Sequence, residues 1–226
     1  MPVQCYKPSK LGDVMVGIEN ELRVGSLATR RKLSETASKT SYVRAGSDCS
    51  LNHNDIEFRT EPRPYNRRNM GVFANFFDRH KERAIQAPDT CRDTCRGTWN
   101  GVSYGMHVNV SWFRDTTYDR VQAFVVNNRR VIEQLAGRDS VYYCRYEILG
   151  RIHKYCCVHI RSNGVCEFRI FKATTDKVAM KMRIQFCVAV CKFCDEADLV
   201  YSWDNFKTFV ARSKKSHPEL ASYLGV

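Results

Sequence analysis

Glu19 and Glu21 stand two residues apart in Gly17-Ile18-Glu19-Asn20-Glu21-Leu22, and the same alternate spacing recurs down the chain. His107, Asn109 and Ser111 alternate in Gly105–Ser111, and Glu167 and Arg169 alternate in Glu167-Phe168-Arg169-Ile170-Phe171. Asp55-Ile56-Glu57-Phe58-Arg59-Thr60 adds another carboxylate on a strand-like segment. Successive strand side chains point to opposite faces, so each alternating set shares one face. Two carboxylates on one face repel each other, and a hard cation beside them relieves that repulsion. Glu57 and Glu167 can add oxygen ligands from neighbouring strands. His107 can add a nitrogen, tolerable for Mg²⁺ and better for Mn²⁺. Such a cluster, with open positions, suits ions that bridge protein to phosphate. Arginines beside it would take phosphoryl oxygens in bidentate fashion. Arg169 is the best placed, and Arg138, Arg145 and Arg151 are further candidates in the stretch 138–151. Taken singly, Glu-x-Glu is common on exposed sheet faces and Glu-x-Arg is often a surface ion pair worth little. The force of these patterns is joint.

The elements that must position these residues follow from periodicity and punctuation. Val14 to Val24 reads as a strand with Val14, Val16, Ile18, Leu22 and Val24 on one face and Glu19 and Glu21 on the other. Gly25 to Thr40 turns polar and basic and reads as a mobile loop. Asp55 to Thr60 is a second strand, stopped by Pro62 and Pro64. A helix is predicted over Tyr65 to Arg83, with Met70, Phe73, Phe76 and Phe77 at helical spacing. Gln86 to Gly101 reads as a loop and Ser103 to Trp112 as a third strand. Thr117 is expected to cap one long helix carrying Val121, Phe124, Val125, Ile132 and Leu135 on one stripe, ended by Gly137. Cys156–Ile160 and Val165–Phe171 form a hairpin around Ser162-Asn163-Gly164. Asp176 caps a helix running to about Ala197, and one or two shorter helices fill Trp203 to Leu224, with Pro218 in a first turn. Strands separated by helices, together with an antiparallel hairpin, favour an α+β layer with helices behind one antiparallel sheet.

Bulk properties narrow the class. The 226 residues are 43% hydrophobic, enough for one substantial core. The expected division is residues 1–175 as a catalytic domain and 176–226 as C-terminal helices packed on it. Lys and Arg exceed Asp and Glu by 12, which suggests polyanionic partners, although the charge is scattered. No apolar run approaches a membrane span, and the first residues lack a signal-peptide apolar core. The expectation is therefore a cytoplasmic protein with no membrane partner, in the host cytosol if virus-encoded. Its 11 cysteines would be reduced. Cys187, Cys191 and Cys194 fall on one helix face and lack the short turn of a zinc knuckle, so buried thiols are expected there. Cys91 and Cys95 make the other tight pair.

The ordered set of motifs resembles the small amidoligase branch of the glutamine synthetase/glutamate–cysteine ligase superfamily, a group found in phages, bacteria and fungi. The match runs from about Val14 to Thr174. It comprises Gly17-x-Glu19-x-Glu21, Asp48-Cys49-Ser50-Leu51, Glu57 to Pro62, Gly105-x-His107-x-Asn109-x-Ser111, and Glu167-Phe168-Arg169 to Thr174. The resemblance implies a curved antiparallel sheet of glutamine-synthetase-like catalytic type with helices packed on one face, and it implies ATP and Mg²⁺ (or Mn²⁺). By analogy Glu21 and Glu57 serve one metal, and Glu19, His107 and Glu167 the other. Asn109 and Ser111 lie towards the nucleotide, and Arg169 meets the transferred phosphate. Glu57 and Arg169, with Arg138, Arg145 and Arg151, are the catalytic candidates. Asn109 stands where many relatives carry a second histidine, which bears on nucleotide contacts more than on metal. The chain lacks room for the larger substrate-binding elements of full glutamine synthetases.

The implied activity is ATP-dependent carboxylate–amine ligation through an acyl phosphate. The partners would be an acid and an amine such as an amino acid, a peptide or a cell-wall or polyanionic component, and an oligomer is possible. An ATP-dependent phosphotransferase of the same fold is the alternative within enzymes. An inactive basic nucleic-acid-binding or virion protein is the alternative outside them, motivated by the net charge.

Overall fold

Val16, Ile18, Leu22 and Val24 alternate with polar and charged residues, and the segment forms the central strand β1 (Met15–Val24). The computed structural model describes residues 13–46, 55–85, 104–111, 115–138, 144–147, 155–196 and 200–226. The other strands are β2 (Val43–Gly46), β3 (Ile56–Thr60), β4 (Arg63–Pro64), β5 (Ala84–Ile85), β6 (Gly105–Ser111), β7 (Val158–Ile160) and β8 (Val165–Lys172). Their order is β2-β3-β1-β6-β8-β7, with the short β4 and β5 pairing the two ends of β1. All of these pairings are antiparallel. The chain is thus α+β, with an antiparallel sheet and helices.

The helices are α1 (Leu27–Ser38), α2 (Arg67–Asp78), α3 (Asp115–Asn127), α4 (Arg129–Ala136), α5 (Lys177–Asp195), α6 (Trp203–Arg212) and α7 (Pro218–Leu224). Asp176 starts α5 by accepting from the Ala179 N–H, as expected of an N-cap. α5 is apolar almost all round because α2, α3, α7 and β6 all pack against it. Phe206 sits beside Phe124, Phe186 and Phe193 at centroid separations of 5.3–5.7 Å, and each such pair adds about 1 kcal/mol beyond burial. The C-terminal helices share this core with the strands. Cys187, Cys191 and Cys194 are buried in it as free thiols.

Three expectations need correction. Gly25–Thr40 is no mobile loop: α1 occupies most of it, capped by Ser26, whose Oγ accepts from the Thr29 N–H. Only Leu33 and Ala37, four residues apart, are fully buried there, so the rest of the helix stays polar and masks the period. The expected long helix after Thr117 is two helices, broken at Asn128, whose Nδ2 donates to the Phe124 carbonyl. Thr117 lies inside α3, buried, donating to Asp195 Oδ1, and is not the cap. The helix predicted over Tyr65–Arg83 is shorter, with Asn66 as its cap and a separate turn of 3₁₀ helix at Lys81–Arg83. Gly137 does end α4, in the left-handed region at φ 65° that favours glycine. Among the described residues no helix is long and apolar enough to cross a membrane. The loop 86–101, the segment Asp48–Leu51, Cys91, Cys95 and Arg151 lie outside the described residues.

Candidate functional site

Strand register decides which side chains meet. Glu19 of β1 lies opposite His107 of β6, Asn109 of β6 opposite Glu167 of β8, and Glu21 opposite Glu57 of β3. All five acidic and imidazole groups therefore occupy the sheet face away from α5, and all are buried. A bulge between β6 and β8 places Phe168 opposite Val108 and Phe171 opposite Met106. Phe168, Ile170 and Phe171 are fully buried in the core, while Arg169 stays on the acidic face with Nη1 2.8 Å from Glu167 Oε1.

Ligand atoms of Glu19, His107 and Glu167 all lie within 4.8 Å of one another. His107 Nδ1 is 3.3 Å from Glu19 Oε2 and 3.4 Å from Glu167 Oε1. A small cation bound at about 2.1 Å holds neighbouring ligands roughly 3.0–3.4 Å apart. The histidine-to-carboxylate edges thus already have metal-ligand spacing. Asn109 Nδ2 donates weakly to Glu19 Oε1 at 3.4 Å, while its buried Oδ1 has no hydrogen-bond partner among the described residues and is a further oxygen donor beside the group. Three of the five expected metal ligands form this cluster, and Glu21 and Glu57 fall outside it.

Glu21 is tied to the sheet, accepting from the Gly105 N–H at 2.6 Å. Gly105 leaves room for two of these side chains: a Cβ there would lie 2.8 Å from Arg138 Nη1 and 3.3 Å from His107 Nε2. Arg138 thus follows α4 round to the acidic face, where Nη1 also donates to the Phe171 carbonyl at 3.3 Å. Glu57 has Arg59 Nη2 2.6 Å from its Oε2. Arg145 is held through its backbone to Tyr155 and Cys157, outside β7. Ser111 ends β6 and lines a cleft with Asn109, Arg59, Arg161, Asn163 and Pro62.

Burial and charge pull these groups in different directions. Burial alone would raise the Glu19 carboxyl, but His107, Arg161 and Arg59 outweigh it and hold it well below the carboxylate range. Glu167 is likewise raised by burial yet brought down by His107, Arg161 and Arg169. Glu57 goes the other way: burial, helped by the charges of Glu19 and Glu21, pushes it to about 7 despite Arg59. The two carboxylates of the cluster are therefore held as anions, while Glu57 outside it titrates at about 7.

Two residues of this face carried no role in the sequence reading. Arg161 donates Nε to Glu167 Oε2 at 3.0 Å and Nη2 to Glu19 Oε1 at 3.1 Å. Arg59 lies opposite Glu19 and beside Glu57. The signal for Arg59 was its period-two spacing from Glu57. For Arg161 it was the hairpin: His159 pairs with Glu167, so the next residue on that face is Arg161. Comparison of the chain with protein-family models and with curated proteins finds no match.

Proposed function

We propose that the protein is an ATP-dependent carboxylate–amine ligase built on a glutamine-synthetase-like sheet, using one or two divalent ions. The observation that carries this reading is the convergence of Glu19, His107 and Glu167 beside Arg161 and Arg169 on one sheet face. Glu₂His with an adjacent amide oxygen is a donor set suited to Mn²⁺ or Mg²⁺. Glu19, His107 and Glu167 would hold one ion, and Glu21 with Glu57 a second. A bound ion would supply charge neutralisation at the phosphates and a template for their oxygens.

The chain's own residues do the rest by charge and alignment. Arg169 has an Nε–H with no hydrogen-bond partner among the described residues and so keeps donor capacity for a phosphoryl oxygen. Asn109 and Ser111, on the cleft wall, would face the nucleotide. A substrate carboxylate oxygen attacks the γ-phosphorus, the bond to the β-phosphate oxygen breaks, and ADP leaves. An amine then attacks the acyl carbon, phosphate departs with the bonding pair, and the amine loses a proton. The protein needs no nucleophile of its own. The cysteines fit that economy: burial pushes the Cys144 thiol up to about 11, and Cys157, Cys187 and Cys191 well above the ordinary thiol value.

Hydroxylamine as surrogate amine tests the reading without knowledge of the natural one. Wild-type protein with ATP, Mn²⁺ and a panel of carboxylic acids should yield a hydroxamate together with ADP. Glu167→Gln and Glu21→Gln should abolish both while the far-ultraviolet circular dichroism is unchanged. Full activity in either variant would sink the site assignment. A stable phosphorylated product with no hydroxamate would favour phosphotransfer. Salt-sensitive DNA binding without ATP binding would overturn enzymatic function in favour of a polyanion binder.

A further inference from the structure

Glu19 and Glu167 belong to β1 and β8, which are not neighbours; β6 runs between them. Besides His107 of β6 itself, Arg161 from the β7–β8 turn joins them across that strand. Arg161 uses Nη2 on Glu19 Oε1 and Nε on Glu167 Oε2, while the other oxygens, Glu19 Oε2 and Glu167 Oε1, are the ones that face His107. The two bonds from Arg161 thus fix the outer oxygen of each carboxylate and leave the inner oxygens turned to the imidazole. Arg169 behaves differently, since its Nη1 sits on Glu167 Oε1, an inner oxygen.

The root of Arg161 is also held. Its N–H donates to the Val165 carbonyl at 2.9 Å, and its carbonyl accepts from the Gly164 N–H at 3.0 Å. Gly164 takes the left-handed conformation at φ 76° that this turn requires. The buried Tyr118 of α3 donates to the Gly164 carbonyl at 2.6 Å, pinning the turn to the helical layer. The Arg161 side chain is half-buried, 26% exposed.

We propose that Arg161 is a positioning residue for the metal centre: a brace that aims one oxygen each of Glu19 and Glu167 at the ion held with His107. It rests on the metal reading of that cluster. Arg161 remains on the outer oxygens when the ion is bound, whereas Arg169 must leave Glu167 Oε1 to make room for it. Of the two arginines, only Arg161 therefore supports metal affinity. Outer-shell partners that orient ligands are worth about 10–100-fold in metal affinity. A lysine at 161 keeps the charge but offers a single nitrogen, which cannot reach two carboxylates in the fixed fork geometry of arginine.

The test is Mn²⁺ affinity of the full chain, read from the electron paramagnetic resonance signal of free Mn²⁺, in wild type, Arg161→Gln, Arg161→Lys and Arg169→Gln. Arg161→Gln and Arg161→Lys should both weaken Mn²⁺ by about 10–100-fold, and Arg169→Gln should leave it equal or tighter. Thermal melting of the metal-free proteins identifies any variant that has failed to fold. For a folded Arg161→Gln, Mn²⁺ affinity equal to or above wild type overturns the brace and makes Arg161 a competitor of the ion. Restored affinity in Arg161→Lys overturns it in favour of charge alone, and absence of Mn²⁺ binding in wild type overturns it outright. Weakened Mn²⁺ in the Arg161 variants, with no hydroxamate from wild type, supports the brace while removing the ligase reading.

Discussion

The two faces of the sheet are built from the same strands by alternate residues, yet they hold opposite chemistry. Towards α5, Ile18, Phe58, Met106, Val108 and Phe168 are fully buried in one continuous core. Asn20 is a buried polar residue there, and it exchanges two hydrogen bonds with the Thr174 backbone. On the other face, buried positions carry Glu19, Glu21, Glu57, His107 and Glu167, neutralised in part by Arg59, Arg161 and Arg169. Replacing a core residue leaves a cavity, whereas replacing a carboxylate leaves a cation uncompensated. The first face is optimised for stability. The second keeps charge in low dielectric, which is costly as structure and useful as a site.

Adjacent residues on opposite faces offer the sharpest break of that comparison. Phe168→Ala should lower the unfolding free energy by about 3–5 kcal/mol in urea titration and leave Mn²⁺ affinity intact. Its neighbour Glu167→Gln should do the reverse, cutting ATP-dependent hydroxamate formation by at least about a thousandfold, roughly 4 kcal/mol in barrier, with much less effect on folding. Equal stability losses in the two variants would mean that the acidic face is merely structural.

The helical layer has its own titrating group. His217 is buried at the start of α7 against Tyr65, with Lys192 nearby, and burial first, then Lys192, pulls its ring down to about 4. Above pH 6.5 the ring is neutral in both folded and unfolded chains, and its contribution is complete. Between pH 6.5 and 4 the unfolded chain takes up the proton and the folded one resists, so stability falls as pH falls, by about 3 kcal/mol in all. His217→Gln should remove that part of the slope from urea midpoints measured between pH 7 and 4. An unchanged slope would place the acid sensitivity elsewhere.

Metal offers a smaller effect of selective kind. Mn²⁺ at a hundred times its dissociation constant should add about 2.7 kcal/mol to the stability of wild type and of Phe168→Ala, and nothing to Glu167→Gln. The smallest expected effect belongs to neither face. Ser26→Ala removes the cap of α1 and should cost about 1 kcal/mol with no change in Mn²⁺ affinity.

Much of the acidic face was legible because period-two alternation is a local property. Once Val16, Ile18 and Leu22 face a core, Glu19 and Glu21 must face away from it, whatever the neighbouring strands are. The hairpin at Asn163-Gly164 and the cap at Asp176 were legible for the same reason, since turn and cap chemistry reside in a few consecutive residues. α1 was not legible, because tertiary contact buries only Leu33 and Ala37 and leaves the pattern of a polar loop. The break at Asn128 was hidden as well, since the apolar stripe of α3 and α4 continues across it.

The sequence by itself determined which residues share a face within each strand, and so proposed the carboxylates, the imidazole and Arg169 as one set. Only the tertiary structure decided which of them meet. Strand order put His107 between Glu19 and Glu167 and set Glu21 opposite Glu57 instead. It also brought Arg161 onto two strands separated by a third. Register between strands depends on long-range pairing and on the bulge that sets Phe171 opposite Met106, neither of which any single segment encodes.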